Sequence, residues 1–319
     1  MKRIAILATF IYSINSFAQI TITSADMPVK GDTLRYSAAI IDSLGLINFN
    51  ISGANSTWDF SNINPKAQGL ARYQAGNQTP YGSTFNSPAA FGRKTADRLE
   101  FQGNVLTNIY EFFSTSSNAF FRDGLGANFL VNIADTFSDP DEFYQFPLEF
   151  GDNDISTFKA TANISIFGAF FTEGTRQNIV DGYGSITTPF GTFDCIRVQT
   201  DLISTDSVSA AGQNFGFRYL IREYKWLANG EPLPVMQING TMVNGDFVPT
   251  TLLYRDIKRN IPADLSPKAE FTISNRRPEI DKDTVQIISQ VIDEGRSGYE
   301  FQITPNTVKF LNNTSPFSP

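Results

Sequence analysis

The chain has 319 residues, of which 41% are hydrophobic, so it is long enough for two domains or for one large domain with an appendage. Its formal charge of −7 and the lack of any Lys- and Arg-rich segment argue against nucleic acid and anionic membrane surfaces as partners. The chain contains no His, which removes the usual general base and the commonest metal ligand. This composition favours a binding or structural protein over an enzyme.

Cys195 is the only cysteine, so it cannot form an intramolecular disulfide. Its neighbours Phe193 and Ile196 are apolar, which favours a small buried side chain. A catalytic thiol needs a microenvironment that stabilises the thiolate, and the chain offers no His for that purpose. We therefore expect Cys195 to be structural rather than nucleophilic.

The amino terminus has the pattern of a secretory signal peptide over residues 1–18. A basic pair precedes an apolar run at 4–12, and the small residues Ser16 and Ala18 follow at the spacing of a cleavage site. The apolar run is too short to cross a membrane, so we predict no transmembrane span. The mature chain should begin at Gln19 and be secreted, extracellular or at the cell surface, with the periplasm as the alternative.

Short runs of alternating apolar and polar residues recur along the mature chain, as expected for half-buried strands. Turn sequences separate them, such as Thr-Pro-Phe-Gly at 188–191 and Asn-Gly-Asp at 244–246. No window shows a sustained helical period. We predict an all-β domain at 19–258, built on a large curved antiparallel sheet that is half-barrel or sandwich-like.

Two segments depart from this pattern. Residues 62–96 are rich in Asn, Gly, Pro and Ser, so we expect loops there with one short helix near residues 88–91. Residues 135–154 combine many carboxylates with Phe and Tyr and are expected to form an acidic loop. This second segment is the best candidate for a functional site.

The acidic segment is a candidate calcium site. Calcium takes ~6–8 oxygen ligands in flexible geometry, and closely spaced carboxylates supply such oxygens. The candidate ligands are Asp135, Asp139, Asp141, Asp152 and Asp154. The alternative is a solvated loop whose carboxylates point separately into water. Apart from calcium we predict no cofactor.

A carboxylate-based enzyme is the alternative function for the same segment. A glycan hydrolase needs an acid and a second carboxylate about 5–9 Å apart, and Glu142, Glu149 or Asp154 could act as the acid/base. Sugar binding could also use an aromatic stacking platform, although burial in a β core is the competing explanation. The aromatic candidates are Tyr144, Phe146, Tyr183, Tyr219, Tyr224 and Trp226.

Composition changes at 259–268, where Pro, Asp, Ser and Asn predict a linker before a last segment at 269–319. That segment opens with Pro-Lys-Ala-Glu-Phe at 267–271 and contains Val-Lys-Phe-Leu-Asn-Asn-Thr-Ser at 308–315. It resembles the PKD (polycystic kidney disease) family, whose immunoglobulin-like β-sandwich modules serve as spacers or adhesive units in extracellular proteins. The family's Trp-x-Phe-Gly-Asp-Gly turn should follow, so we expect a partial module whose last ~50 residues are poorly ordered on their own.

Other motifs are similar to those of surface proteins of Bacteroidota. They are the start of the mature chain, the run Gly-Ala-Asn-Ser-Thr-Trp-Asp-Phe at 53–60 and Thr-Pro-Phe-Gly-Thr-Phe at 188–193. Asp-Ser/Thr-aliphatic triplets at 32–34, 42–44, 206–208 and 283–285 resemble the O-glycosylation acceptors of exported proteins in that group. The pattern from 184 to 198 resembles lipoprotein-carrier half-barrels, a likeness of fold that says little about function.

These observations together predict a secreted or cell-surface β protein without catalytic activity. Its role would be binding, adhesion or structural, with a glycan, a lipid or a surface protein as the partner. The glycan hydrolase that uses residues 135–154 remains the alternative.

Overall fold

The structure is a computed structural model that describes residues 20–45, 47–101, 104–163, 168–210, 213–259, 261, 284–287, 299–304 and 307–312. The predicted signal peptide lies outside the described residues. The chain divides into two compact units, Met1–Ile261 and Pro262–Pro319.

The first unit is built almost entirely of strands. They are β1 (Thr33–Ala39), β2 (Gly53–Asp59), β3 (Pro65–Ala75), β4 (Phe91–Phe101), β5 (Asn104–Thr115), β6 (Ala119–Phe129), β7 (Val131–Gln145), β8 (Asn153–Asn163), β9 (Ala169–Thr188), β10 (Gly191–Ala210), β11 (Gln213–Leu227), β12 (Met236–Val243) and β13 (Asp246–Arg255). Short 3₁₀ turns span Ser24–Asp26, Ile41–Leu44 and Gly76–Gln78. Within the described ranges, no helix has the length and apolar character that crossing a membrane requires.

All strands except β2 form one closed ring. The order is β10-β11-β12-β13-β1-β3-β4-β5-β6-β7-β8-β9, and β9 pairs again with β10. Every neighbour in the ring is antiparallel, whereas β2 adds to β9 in parallel. The predicted all-β class is confirmed. The expected half-barrel or open sandwich is corrected, because the sheet closes on itself.

Two seams in the ring are weakly paired. Among the described residues, β3 and β4 pair only through Tyr73–Ala75 and Phe91–Arg93. Strands β7 and β8 pair only where Asp139 faces Lys159. The seams separate a four-stranded sheet, β4 to β7, from an eight-stranded sheet that runs from β8 through β10 to β3.

An apolar core fills one part of the interior of the ring. Side chains from opposite parts of the ring meet there, because every second residue of a strand faces inward. Fully or nearly buried members of this core are Ile22, Met27, Ala71, Tyr73, Phe91, Phe113, Phe120, Tyr144, Leu148, Val180, Ile196, Val198 and Leu227. Three Phe residues contribute to this core.

Two loops cover parts of the outer surface. The segment that contains β2 packs Trp58 and Phe60 against Trp226, with ring centroids 5.9 and 5.2 Å apart. The loop between β3 and β4 stacks Phe85 on Phe112 at 3.6 Å. It can approach closely because a side chain on Gly124 would overlap the Phe85 ring. On the outer face of β8 to β11, only the ends of β9, β10 and β11 contribute residues to these two outer cores. The described residues of β8 contribute none.

Two sequence expectations were wrong. The predicted loops at 62–96 contain the whole of β3, and the predicted helix near 88–91 is a turn into β4. Gly69 made this strand look like a loop, yet a Cβ there would overlap the Tyr36 ring, so the glycine serves packing. The expected acidic loop at 135–154 is strand up to Gln145 and strand again from Asn153. Only the turn between β7 and β8 is a loop.

The second unit is described only through three strands. These are β14 (Thr284–Ile287), β15 (Tyr299–Thr304) and β16 (Thr307–Asn312), which form an antiparallel sheet in that order. The rest of the predicted partial sandwich at 269–319 lies outside the described residues. The immunoglobulin-like module therefore stays a prediction.

Gly184 should be essential where β2 joins the ring. A Cβ at this position would overlap the backbone of Ser56, and its φ of +156° is one that other residues rarely adopt. We expect Gly184→Ala to destabilise the first unit by roughly 1–3 kcal/mol in urea unfolding followed by Trp fluorescence. Gly191→Ala is the control, since its Cβ would lie 3.3 Å from the Phe193 ring. Equal midpoints for the two variants would contradict the described packing of β2.

Candidate functional site

A chain of buried charges crosses the interior beside the apolar core. Its members alternate in sign from β4 to β11 and are Arg93, Glu111, Arg122, Asp141, Arg176, Glu223 and Lys225. Arg93 Nη2 lies 3.0 Å from Glu111 Oε2, and Arg122 Nη1 lies 3.1 Å from Glu111 Oε1. Lys225 pairs with Glu223 at the other end. Four cations and three anions give this network of buried charges one excess positive charge.

Asp141 and Arg176 form the central link. Arg176 donates from Nε to Asp141 Oδ1 at 2.7 Å and from Nη2 to Oδ2 at 2.9 Å. Arg122 donates to the same Oδ2 at 2.8 Å. Because Asp141 lies on β7 and Arg176 on β9, this pairing spans the weak seam between β7 and β8. A two-pronged arginine–carboxylate pair is among the strongest polar contacts in proteins.

Aromatic rings shield the charges from water. The Arg176 guanidinium carbon lies 4.3 Å from the centre of the Phe143 ring, and Arg122 lies 5.5 Å from it. Lys225 approaches the same ring at 5.8 Å. Cations over ring faces are attracted by the ring quadrupole, more strongly where water is excluded. Phe143 thus contacts three cations of the buried charge network.

The carboxylates of the chain stay ionised despite their burial. Burial by itself raises the pKa of the Asp141 carboxyl, but Arg176 and then Arg122 hold it below its ordinary value. The pKa of Glu111 is lowered in the same way by Arg122 and Arg93, against the effect of its burial. The network is therefore a set of matched charges rather than a pair of proton-exchanging groups.

The structure separates the five predicted calcium ligands. Asp141 is buried in the charge network, and its oxygens accept from arginines. Asp135 accepts from the Thr136 amide on β7, whereas Asp152 caps the turn before β8 by accepting from the Glu149 amide. In the described part of the chain, no three acidic, His or Cys side chains are grouped so as to hold a metal ion.

Asp154 has the most unusual carboxyl of the acidic segment. It is half-buried and accepts from Asn178 at 3.2 Å. Burial raises the pKa of Asp154, and the negative charges of Glu142 and Asp152 raise it further, against the effect of the Asn178 hydrogen bond. A carboxyl with a raised pKa is one property of a general acid.

A groove on the outer face carries the fifth candidate, Asp139. It has a volume of about 360 Å³ and crosses β7 to β11. Its lining residues include Asp139, Thr157, Lys159, Glu173, Thr175, Ile203, Thr205 and Arg218. Thr157 donates to Asp139 at 2.6 Å, and Lys159 pairs with Glu173 at 3.0 Å. The groove thus presents hydroxyls, carboxylates and cations side by side on exposed strands.

The aromatic and cysteine expectations have clear outcomes. Tyr144, Tyr224 and Trp226 are buried in the two main cores, so they form no exposed sugar platform. Cys195 is buried in the core beneath β2, as expected, and burial raises the pKa of its thiol well above the ordinary value. The expected burial of Cys195 is therefore confirmed.

Neither the charge network nor the groove was predicted from the sequence. In the run Arg-Glu-Tyr-Lys-Trp at 222–226, charged residues alternate with aromatic ones, which usually indicates a strand with one wet face. Here both faces are covered, because Glu223 and Lys225 face the interior while Tyr224 and Trp226 lie under the β2 segment. The signal that could have found the network is charge complementarity between inward positions of neighbouring strands.

The comparisons with known proteins yield a distant likeness at most. No protein-family model matches it, and no curated protein is significantly similar. A similar solved structure comes from Bacteroides fragilis and is described as a proposed exported protein with a YmcC-like fold. It is 9% identical, with a TM-score of 0.28 over 73% of this chain and 98% of that chain. So distant a likeness carries no argument, and the PKD and Bacteroidota resemblances stay predictions.

The calcium hypothesis also stays a prediction, with a specific requirement. If calcium binds the native chain, it must raise the melting midpoint through mass action, and Asp139→Asn must reduce that rise. Melts in millimolar calcium, in magnesium and in chelator at matched ionic strength provide the measurement. Identical midpoints in calcium and in chelator would contradict the hypothesis.

Removing the Asp141 charge should destabilise the first unit strongly. Asp141→Asn removes the carboxylate between Arg122 and Arg176 and leaves four cations of the network with two carboxylates, for which we expect a loss of about 3–5 kcal/mol in urea unfolding. The folded-state pKa of Asp141 is lowered, so its stabilisation is present above pH ~4 and is lost as pH falls further. The variant should therefore show a shallower loss of stability below pH ~4.

Asp97→Asn is the control for this experiment. Asp97 also pairs with a cation, Lys94, but its side chain is 88% exposed. Ion pairs in such positions contribute little, so this variant should unfold like the parent chain at every pH. If Asp141→Asn behaved like Asp97→Asn, the buried network would not be the element that holds the seam.

Proposed function

We propose that this protein is an exported, non-catalytic β protein that binds a glycan in the outer groove of β7 to β11. The observation that supports this most directly is the character of the groove, which is open, about 360 Å³ in volume and lined by polar side chains. Ligand-binding clefts in proteins are commonly a few hundred Å³ and carry a few convergent polar groups. The rest of the proposal follows from where this groove lies and what it displays.

The groove lies on a part of the surface that no loop of the described chain covers. The β2 segment covers the outer side of β10 to β13, and the loop after β3 covers that of β4 to β6. Between these two covers, β8 and β9 expose Thr157, Lys159, Glu173 and Thr175 to solvent. A rigid sheet therefore presents these groups at fixed spacing, with adjacent strands about 4.8 Å apart.

The chemistry of the groove suits a polyhydroxylated ligand. Threonine hydroxyls donate and accept, carboxylates accept and cations donate, so neighbouring sugar hydroxyls of either role find partners. Arg218 contributes a guanidinium that forms no ion pair within the described residues. Phe171 is 37% exposed two residues before Glu173, on the same face of β9, and offers an apolar surface for the C–H face of a sugar ring.

The charged groups of the groove favour binding over catalysis. Asp139 accepts from Thr157 and Glu173 pairs with Lys159, so each carboxylate already has a partner that holds it in place. Carboxylates held in place in this way suit the recognition of hydroxyl groups. Export rests on the signal pattern at 1–18, and the segment at 269–319 would serve as a spacer or adhesive module.

A glycan hydrolase remains a second candidate because of Asp154. Burial raises the pKa of this carboxyl, and Glu142 is close enough to raise it further. A protonated acid beside a second carboxylate is the pairing that glycosidases use. Against this candidate, Glu142 accepts from Gln145, and Asp154 is held by Asn178.

Glycan binding should depend on the groove. We expect the purified chain to retain specific glycans on an array without releasing products, and Arg218→Ala and Phe171→Ala each to weaken binding about tenfold, or ~1.4 kcal/mol. The matched controls Arg72→Ala and Leu99→Ala replace an exposed Arg and an exposed apolar residue on other strands. They should bind like the parent chain.

Two outcomes would contradict this proposal. Binding that Arg218→Ala and Phe171→Ala leave unchanged would place the ligand elsewhere. Product release from a polysaccharide that Asp154→Asn or Glu142→Gln abolishes would favour the hydrolase instead.

A further inference from the structure

The seam between β3 and β4 has little strand pairing. After the three paired residues Tyr73–Ala75, the two strands diverge, so residues 65–72 pair only with β1 and residues 94–101 pair only with β5. A bulge at Lys94 and Ala96 bends β4 at the point of divergence. Bulges commonly end strand pairing and re-aim side chains in this way.

A cavity of about 220 Å³ lies in this seam. Consecutive residues Leu70 and Ala71 of β3 both line it, as do Arg93 and Lys94 of β4. Leu70 and Lys94 alternate with the inward-facing Ala71 and Arg93, so the wall of the cavity includes the edges of both strands where their pairing ends. It is a different site from the outer groove, with which it shares no lining residue.

The walls of the cavity combine apolar and positively charged groups. Leu70, Ala71, Leu233, Pro234 and Leu253 supply the apolar surface, and Gln237 supplies an amide. Arg93 and Lys94 are its charged lining residues, and both are cations, although Lys94 also pairs with the exposed Asp97. The strands that frame the seam, β3 and β4, carry five basic and two acidic residues in a chain of net charge −7.

One end of the buried charge network lies at this cavity. Arg93 ends the network and shares the single carboxylate of Glu111 with Arg122. Its second polar contact, to the Tyr73 hydroxyl, is a long 3.4 Å. At the opposite end, Lys225 faces Gln237 across β11 and β12, and Gln237 is again a wall of the cavity. An anion in the cavity would therefore offset the unmatched cation of the network.

We infer that this cavity binds a small amphiphilic anion, with a carboxylate or phosphate head at Arg93 and a short apolar body against the leucines. The cation attracts the head, and burial of the body provides the hydrophobic contribution. The volume falls below the ~300–1,000 Å³ of clefts that hold drug-sized ligands, which limits the body to a short chain or a single ring.

Titration calorimetry with octanoate and octyl phosphate tests this inference on the full chain. We expect saturable binding of at least one of these anions, and none of octanol or octylammonium at the same concentration. Octanoate alone would identify a carboxylate ligand, and octyl phosphate alone a phosphate ligand. Equal binding of all four compounds, binding of none, or binding only of anionic lipid vesicles would overturn it.

Site variants separate this cavity from other binding. Leu70→Trp fills the seam and should abolish octanoate binding, whereas Lys94→Gln removes a partly exposed cation at its wall and should weaken binding about threefold or more. Lys159→Gln, in the outer groove, is the control and should leave octanoate binding unchanged. Lys94→Gln decides the result if Leu70→Trp does not fold. Parent-like binding by Lys94→Gln, or by a folded Leu70→Trp, would overturn the assignment, whatever the outcome for glycans.

Discussion

The two-pronged contact between Asp141 and Arg176 is the constraint on which the first unit depends. The ring consists of two sheets, and the seam at β7 and β8 has a single described pairing, between Asp139 and Lys159. Across that seam, Asp141 on β7 accepts two hydrogen bonds from Arg176 on β9. Buried ions are costly unless their partners and geometry are complete, which is why the network alternates in sign from strand to strand.

Aromatic residues make such a network tolerable. Phe143 lies against Arg122, Arg176 and Lys225, so it excludes water from the cations while it interacts favourably with them. Other rings form cores on both sides of the sheet, inside the ring and beneath the two covering loops. The abundance of Phe, 29 residues, is thus explained by a sheet that has to be packed on two faces.

The sequence predicted the fold class and the turns well, because these depend on local chemistry. Asn244 and Gly245 adopt positive φ at the tip of the β12–β13 hairpin, as their residue types suggest. Prediction from the sequence failed where contacts between distant segments determine the local structure. Gly69 and Gly124 look like loop residues, yet each makes room for an aromatic ring of another segment. Whether Asp141 would bind a metal or an arginine likewise depended on a partner 35 residues away.

Closure of the ring also sets the order in which the chain can fold. The β9–β10 hairpin joins neighbours in sequence and can form early, whereas β1 must pair with β13, and Ser37 bonds to Asp256 across 219 positions. Contacts between such distant residues form slowly, because a long loop has to close first. The ring therefore cannot be completed until nearly all of the first unit has left the ribosome. A chain with this topology therefore stays unclosed during most of its synthesis, until the final strand pairs and completes the fold.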